Sequence, residues 1–304
     1  MSTHAPTGRY APSPTGPLHL GNLRTALLAW LFARSQNARF LLRVDDLDTS
    51  RVHPGVAETQ LADLASLGLD WDGPVVRQSA RLVLYGEAIA ALDAEGLLYP
   101  CYCTRAEIRE AVSAPHGALP EGSYPGTCRE LSATQRAERE RSGRPPALRL
   151  RANAKVVTFE DRLLGARRDV VDDLVVRRND DGPAYNLAVV VDDAVQEVRE
   201  VVRGADLLDT TARQLHLADL LGLPAPAHAH VPLVLGPDGA RLAKRHGAVT
   251  LADRAAAGES PLDVRSRLAA SVGLAEPGER PTLDELLRRF DPRTLPSEAG
   301  VLRE

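Results

Sequence analysis

Four groups of residues in this chain have types and spacings that could do chemistry. In the first, RYAPSPTGPLHLG (Arg9–Gly21) sets three prolines and two glycines around His19, directly ahead of a long apolar run. Proline fixes φ and glycine admits positive φ, so this is a tight turn that cannot drift. A histidine held just before a helix N-terminus sits where phosphate binds. Gly21 lets a base or ribose approach the backbone. The same histidine serves equally well as a structural cap. In the second group, RLAKRHG (241–247), Arg241, Lys244 and Arg245 could clamp a triphosphate as a loop closes, or form a solvated basic loop.

The third group is YNLAVVVDD (185–193) followed by VVRGAD (201–206). Tyr185 and Arg203 are expected at element ends, where an α/β sheet places a substrate pocket. Asp192 and Asp193 read as exposed turn residues. The fourth is Cys101-x-Cys103 with Cys128. Three cysteines so close argue for a metal site rather than a disulfide framework. Zinc takes four ligands. Tyr124, brought back by a Pro-Gly turn, and His116, the commoner donor type, are the two candidates for the fourth. No nucleophile-activating base stands near, which favours a structural site.

These groups need elements to hold them. Residues 9–13 read as a strand, 22–36 as a helix, 39–46 as a buried strand, and 54–67 and 80–95 as amphipathic helices. That β-α-β-α order favours a parallel sheet flanked by helices. From about Pro100 the texture changes. Residues 146–193 alternate in strand-like fashion and are broken by NDDG (179–182), a hairpin signal. A strand–loop–helix unit resumes at 198–223. Residues 261–304 read as short helices with polar faces. The expected division is 1–98, first half of a nucleotide-binding fold; 99–189, an insertion with the metal site; 190–247, the second half; and 248–304, a C-terminal helical region.

The 304 residues suffice for a sizeable core, and 44% hydrophobic with 26% charged residues is ordinary for a globular protein. A net charge of −4 excludes a uniformly basic nucleic-acid coat. A local basic face is still available from RLRANAK (149–155) and the arginine pairs at 167–168 and 177–178. No stretch reads as a signal peptide or membrane span, so a cytoplasmic protein is expected. No coiled-coil or apolar interface segment points beyond a monomer.

In combination and in this order, RYAPSPTGPLHLG, RFLLRVDDLDTSR, YNLAVVVDD with VVRGADLL, and RLAKR resemble the class I glutamyl-tRNA synthetases. PLHLG looks like their HIGH signature and RLAKR like a KMSKS loop. The resemblance spans nearly the whole chain but stops where an anticodon-binding domain would follow, with about sixty residues after Lys244. With its CxC…YxxxC group, the chain is similar to the glutamyl-Q tRNA(Asp) synthetases. The resemblance implies an α/β, Rossmann-type class I fold with a zinc-containing α+β insertion, a short C-terminal helical region and no anticodon-binding domain. It implies ATP-dependent activation of L-glutamate and its transfer to the queuosine base at the wobble position of tRNA(Asp), with Mg2+ accompanying ATP.

The implied zinc ligands are Cys101, Cys103, Tyr124 and Cys128, which favours Tyr124 over His116. The glutamate pocket maps onto Arg9, Tyr10, Ala11, Pro12, Ser13, Asp45, Tyr185 and Arg203. Asp45 would take the ammonium and Arg203 or Arg9 would fork a carboxylate. His19, Gly21, Asn22, Arg241 and Lys244 would serve ATP, with His19 and Lys244 catalytic. Three positions depart from the family pattern. Asp45 replaces a glutamate, Arg241 the first lysine of the loop, and Ala243 a serine. Competing readings are a truncated conventional synthetase charging a tRNA 3′ end, a catalytically silent tRNA-binding paralogue, and a small-molecule nucleotidyltransferase.

Overall fold

The computed structural model describes residues 7–104, 106–108, 123–240, 242, 246–247 and 249–302. Thr7–Tyr10 forms β1, Leu20–Ser35 α1 and Arg39–Val44 β2. The helix α1 is buried on nearly all sides, from Leu23 to Ala33, and lies at the centre of the main core. Its close approach to the sheet is possible because residue 8 is glycine. A Cβ there would stand 3.1 Å from that of Ala33. Val56–Ser66 is α2, Val76–Arg77 β3 and Leu82–Ala94 α3.

Leu98–Cys101 (β4), Ala147–Leu150 (β5) and Val175–Arg177 (β8) make a separate three-stranded antiparallel sheet. Ala133–Arg141 (α4) precedes β5. Lys155–Asp161 (β6) and Gly165–Val171 (β7) form the true hairpin of this region. It does not stay with the small sheet. It joins the edge of the main one, through a parallel register of His228 with Asp161. Glu200–Gly204 is β9, Thr211–Leu220 α6 and Ala227–Val231 β10. The main sheet therefore runs β3-β2-β1-β9-β10-β6-β7, parallel up to the final hairpin. The chain leaves β1 toward β2 on one side and returns to β9 on the other. That is the switch point where α/β sheets open a crevice at their strand C-termini.

One expectation fails here. Residues 185–193 are not extended: Tyr185–Val195 is a helix, α5. The valine run favours a strand locally, but seven successive residues, Leu187–Asp193, are buried against α3 and α6. Tertiary burial overrides that weak preference. NDDG does reverse the chain, but its return arm is a single antiparallel bridge of Arg177 with Pro183, with the Arg178 N–H donating to the Gly182 carbonyl, rather than a strand. The segment turns β8 into α5, with Asp180 accepting from the Gly182 N–H.

After β10 come Val234–Leu235 (β11), Leu251–Ala256 (α7), Pro261–Ala270 (α8), Leu283–Arg289 (α9) and Gly300–Val301 (β12). The helices α7, α8 and α9 each open on a capping box, with Thr250, Ser260 and Thr282 as the caps. They are more than a polar tail, because Val264, Leu268, Ala269 and Leu286 enter the same core as α1. No helix of the described residues is long and apolar enough to cross a membrane.

Candidate active site

The strand ends and the β1–α1 turn enclose a cavity of about 450 Å³. Its lining includes Arg9, Tyr10, Ala11, Pro12 and Ser13, then His19, Gly21 and Asn22, then Asp45, Tyr185 and Arg203. Residues separated by up to 194 positions in sequence thus meet in one crevice. Arg241, Ala243, Lys244 and Arg245, like His116, lie outside the described residues.

The turn is held rigid from below. Gln60 on α2, almost fully buried, donates from Nε2 to the carbonyls of Ser13 (3.1 Å) and Gly16 (2.7 Å). His19 is the N-cap of α1. Its Nδ1 accepts from the Asn22 N–H at 3.2 Å, and the Asn22 side chain returns a bond to the His19 N–H. The capping reading is therefore correct, and it fixes the ring. With Nδ1 accepting, a neutral imidazole carries its proton on Nε2, a donor suited to phosphate oxygen. A Cβ on Gly21 would lie 3.0 Å from that ring, so only glycine leaves it undisturbed.

Beneath the cavity lies a buried ion lattice that sequence reasoning missed. Arg43 is completely buried. It donates from Nε to Asp45 (2.8 Å) and from Nη1 to Asp193 (2.6 Å) and Gln196 (3.1 Å). Arg9 forks Asp193 through Nε and Nη2 at 3.2 and 3.1 Å. Asp192 accepts from Gln78, Arg81 and Tyr85 at 2.8, 2.6 and 2.8 Å. Asp192 and Asp193 are therefore central buried carboxylates, not the exposed turn residues expected. A buried charge survives only when paired, and here three arginines meet three aspartates. Burial would raise Asp193, but Arg9 and Arg43 override it and hold its carboxyl down at about 2. At Asp45 burial prevails over Arg43, and the carboxyl is pushed up to about 6. It is the acid of this lattice most in want of another cation.

Arg203 stands on the cavity's other wall, one strand over. It donates from Nε to His230 Nε2 (3.0 Å), from Nη1 to Gln214 (2.8 Å), and from Nη2 to Thr211 (2.8 Å) and the Leu207 carbonyl (3.3 Å). Burial lowers its pKa, and Tyr185 touches the same guanidinium. With Nε, Nη1 and Nη2 all engaged and Tyr185 hydrogen-bonded to the same guanidinium, Arg203 has at most one donor to turn to a ligand. Arg9 keeps the edge opposite Asp193. Any fork onto a carboxylate is thus better supplied by Arg9, with Arg203 giving a single directed bond.

The cysteine group is a separate, compact centre. The sulfurs of Cys101, Cys103 and Cys128 lie within 4.8 Å of one another. The Tyr124 hydroxyl is 3.4 Å from Cys101 Sγ and 3.5 Å from Cys103 Sγ. Three soft sulfurs converging with a phenolic oxygen fit one zinc-sized ion with four donors. Arg149, proposed for a basic face, is instead buried. It stacks on the Tyr124 ring at 3.6 Å and donates to the Asp173 carbonyl. Arg178 pairs with Asp180, and Arg177 with Asp181.

Residues 7–274 match the family model for the catalytic domain of class I tRNA synthetases (E and Q). The chain belongs to this family. It is a class I synthetase-type ligase, and its architecture accords with a solved relative. The crystal structure of a glutamate tRNA ligase from Elizabethkingia meningosepticum, in complex with its amino acid, superposes with a TM-score of 0.83 at 25% identity. That match covers 99% of this chain and 67% of the other. Among curated relatives, a glutamyl-Q tRNA(Asp) synthetase of Nocardia farcinica is 61% identical, covering 98% of this chain and 93% of its own length. One from Symbiobacterium thermophilum is 52% identical over 96% and 94%. In this class I synthetase the parallel strands, the PLHLG turn and the cavity between them thus occur together as the resemblance implied.

Proposed function

We propose that this synthetase joins L-glutamate to ATP, releasing pyrophosphate, and passes the glutamyl group from the adenylate to the queuosine base of tRNA(Asp). The observation that carries the reading is one cavity at the sheet's switch point that gathers Arg9, Asp45, Tyr185, Arg203 and His19. Glutamate has two carboxylates and one ammonium. Asp45 takes the ammonium, a second cation beside Arg43 that draws its carboxyl back down from the raised value burial sets. Arg9 forks one carboxylate and Arg203 directs a single bond, with Tyr185 closing the wall. Tyr10, Ala11, Pro12 and Ser13 supply the backbone edge against which the substrate lies.

One oxygen of the glutamate α-carboxylate attacks the α-phosphorus of ATP. The bond to the β-phosphate bridging oxygen breaks, and pyrophosphate leaves. His19, donating from Nε2, and the start of α1 at Gly21 and Asn22 stabilise charge on the phosphates. Lys244 and Arg241, by their place in RLAKR, neutralise the departing pyrophosphate, with Mg2+ accompanying the nucleotide. A nucleophilic group of the modified base then attacks the glutamyl carbonyl carbon and AMP leaves. The side chains work by positioning and electrostatics, without a covalent enzyme intermediate.

Cys101, Cys103, Tyr124 and Cys128 hold one structural zinc ion that ties β4 to the Tyr124–Cys128 turn. Segments 1–98 and 190–247 supply most of the nucleotide fold, 99–189 an acceptor-side insertion that lends its β6–β7 hairpin to the main sheet and ends within α5, and 248–304 the helical region. The enzyme acts as a cytoplasmic monomer.

The test is transfer of labelled glutamate to unfractionated tRNA from a source containing queuosine and from one lacking it. Labelling of the queuosine pool alone is the expected result. Equal labelling of both would mean 3′-end charging. Labelling of neither, without glutamate-dependent pyrophosphate exchange, would mean a silent paralogue.

A further inference from the structure

Arg203 has a support that neither the sequence motifs nor the cavity lining contains. Its neighbour in register on β10 is His230, fully buried, whose Nε2 accepts from Arg203 Nε at 3.0 Å. On the far side of that ring, His230 Nδ1 stands 2.6 Å from Asp161 Oδ2. Asp161, also buried, is the last residue of β6. Its other oxygen, Oδ1, accepts the backbone N–H groups of Leu163 (3.1 Å), Leu164 (3.0 Å) and His230 (3.3 Å). His228 stacks parallel to the His230 ring, with centroids 6.0 Å apart.

The polarity of this chain admits one arrangement. A guanidinium can only donate, so His230 Nε2 must be the unprotonated nitrogen. Nδ1 then carries the proton and donates it to Asp161. Burial lowers the pKa of His230, in keeping with a neutral ring.

We propose that Asp161 and His230 are positioning residues for the amino-acid step, a carboxylate–imidazole relay that aims the Arg203 guanidinium at the substrate carboxylate. This rests on the glutamate reading of the cavity. It also gives the β6–β7 hairpin a task. By docking on β10, the hairpin brings Asp161 under a ring whose partner is in the substrate pocket.

Asp161→Asn tests the relay with little change of shape. Three backbone N–H groups hold the amide oxygen at the Oδ1 position, so the amide NH2 faces His230 Nδ1. The imidazole must then accept there and carry its proton on Nε2, opposing the Arg203 Nε–H donor. Loss of one charged hydrogen bond corresponds to about ten- to a hundredfold in affinity.

The experiment measures glutamate-dependent ATP–pyrophosphate exchange on the full chain, with thermal melts as a check on folding. Asp161→Asn and His230→Leu are expected to raise the KM for glutamate by about that factor, with the KM for ATP within about twofold. His230→Gln, which keeps an oxygen able to accept from Arg203, should recover most of the loss. Adding Asp161→Asn to Arg203→Ala should change little, because the relay acts only through Arg203. An unchanged glutamate KM in Asp161→Asn and His230→Leu, beside a large rise in Arg203→Ala, overturns the relay and leaves the pocket reading intact. Equal rises in both KM values also overturn it, since that is what loosened structure gives. No effect in Arg203→Ala itself would overturn the pocket reading, and the relay with it.

Discussion

Arg43→Met should separate the two jobs of the buried lattice, holding the fold and preparing the site. Arg43 is wholly buried, 2.8 Å from Asp45, 2.6 Å from Asp193 and 3.6 Å from Asp192. Methionine fills much of its volume but removes the charge. Asp192 keeps Gln78, Arg81 and Tyr85, and Asp193 keeps the Arg9 fork. Asp45 keeps no side-chain hydrogen bond among the described residues. Breaking a buried ion pair on one side costs about 3–5 kcal/mol. At roughly 2 °C per kcal/mol for a chain of this size, the melting temperature should drop by about 6–10 °C. Asp45 would also lose the strongest influence pulling its carboxyl down from the level that burial sets. It would then be neutral near pH 7, and the glutamate KM should rise steeply. Adding Asp45→Asn should restore part of the melting temperature, because an amide is neutral without first having to take up a proton, yet leave glutamate binding lost. Calorimetry and pyrophosphate exchange on the single and double variants decide the matter. An Arg43→Met protein that melts with the parent and keeps its glutamate KM would refute the lattice argument.

Further outcomes follow from the same geometry. With Asp45 at about 6 in the free enzyme, kcat/KM for glutamate should fall as pH drops through that value, because the ammonium needs the ionised carboxylate. Asp45→Asn should flatten that limb at a low level, and a limb that persists would assign it to another group. Gly21→Ala sets a methyl 3.0 Å from the His19 ring. Alanine favours a helix over glycine by about 1 kcal/mol, so the melting point should hold or rise while activation falls about tenfold or more. Equal activity in that variant would show that His19 does not need its observed place. Elemental analysis should find one zinc per chain, lost in Cys128→Ala. Chelator competition should show weaker retention in Tyr124→Phe, and unchanged retention would strike Tyr124 from the ligand set.

How much of this was legible beforehand depended on distance along the chain. The Arg9–Gly21 turn, the β-α-β opening and the cysteine group could be read because their partners are close in sequence. Prolines and glycines constrain their own dihedrals, and Cys101, Cys103, Tyr124 and Cys128 span only 28 residues. Helix α5 could not be read this way. Its valines favour a strand until α3 and α6 close over them. The two aspartates at its end look like surface residues until Arg9 and Arg43, 184 and 150 positions away, are seen to reach Asp193.

The sequence by itself thus determined which groups are present: a rigid Pro/Gly turn carrying His19, cationic and anionic side chains, and three clustered cysteines. Only the tertiary structure decided how those groups are charged, aimed and occupied. It buried Arg43 under Asp45, gave His19 a capping bond that leaves Nε2 as donor, and pinned the turn with Gln60. It also carried Asp161 on a hairpin to His230, behind Arg203. Charge state and direction depend on burial and on partners drawn from distant elements, and those exist only once the sheet has assembled.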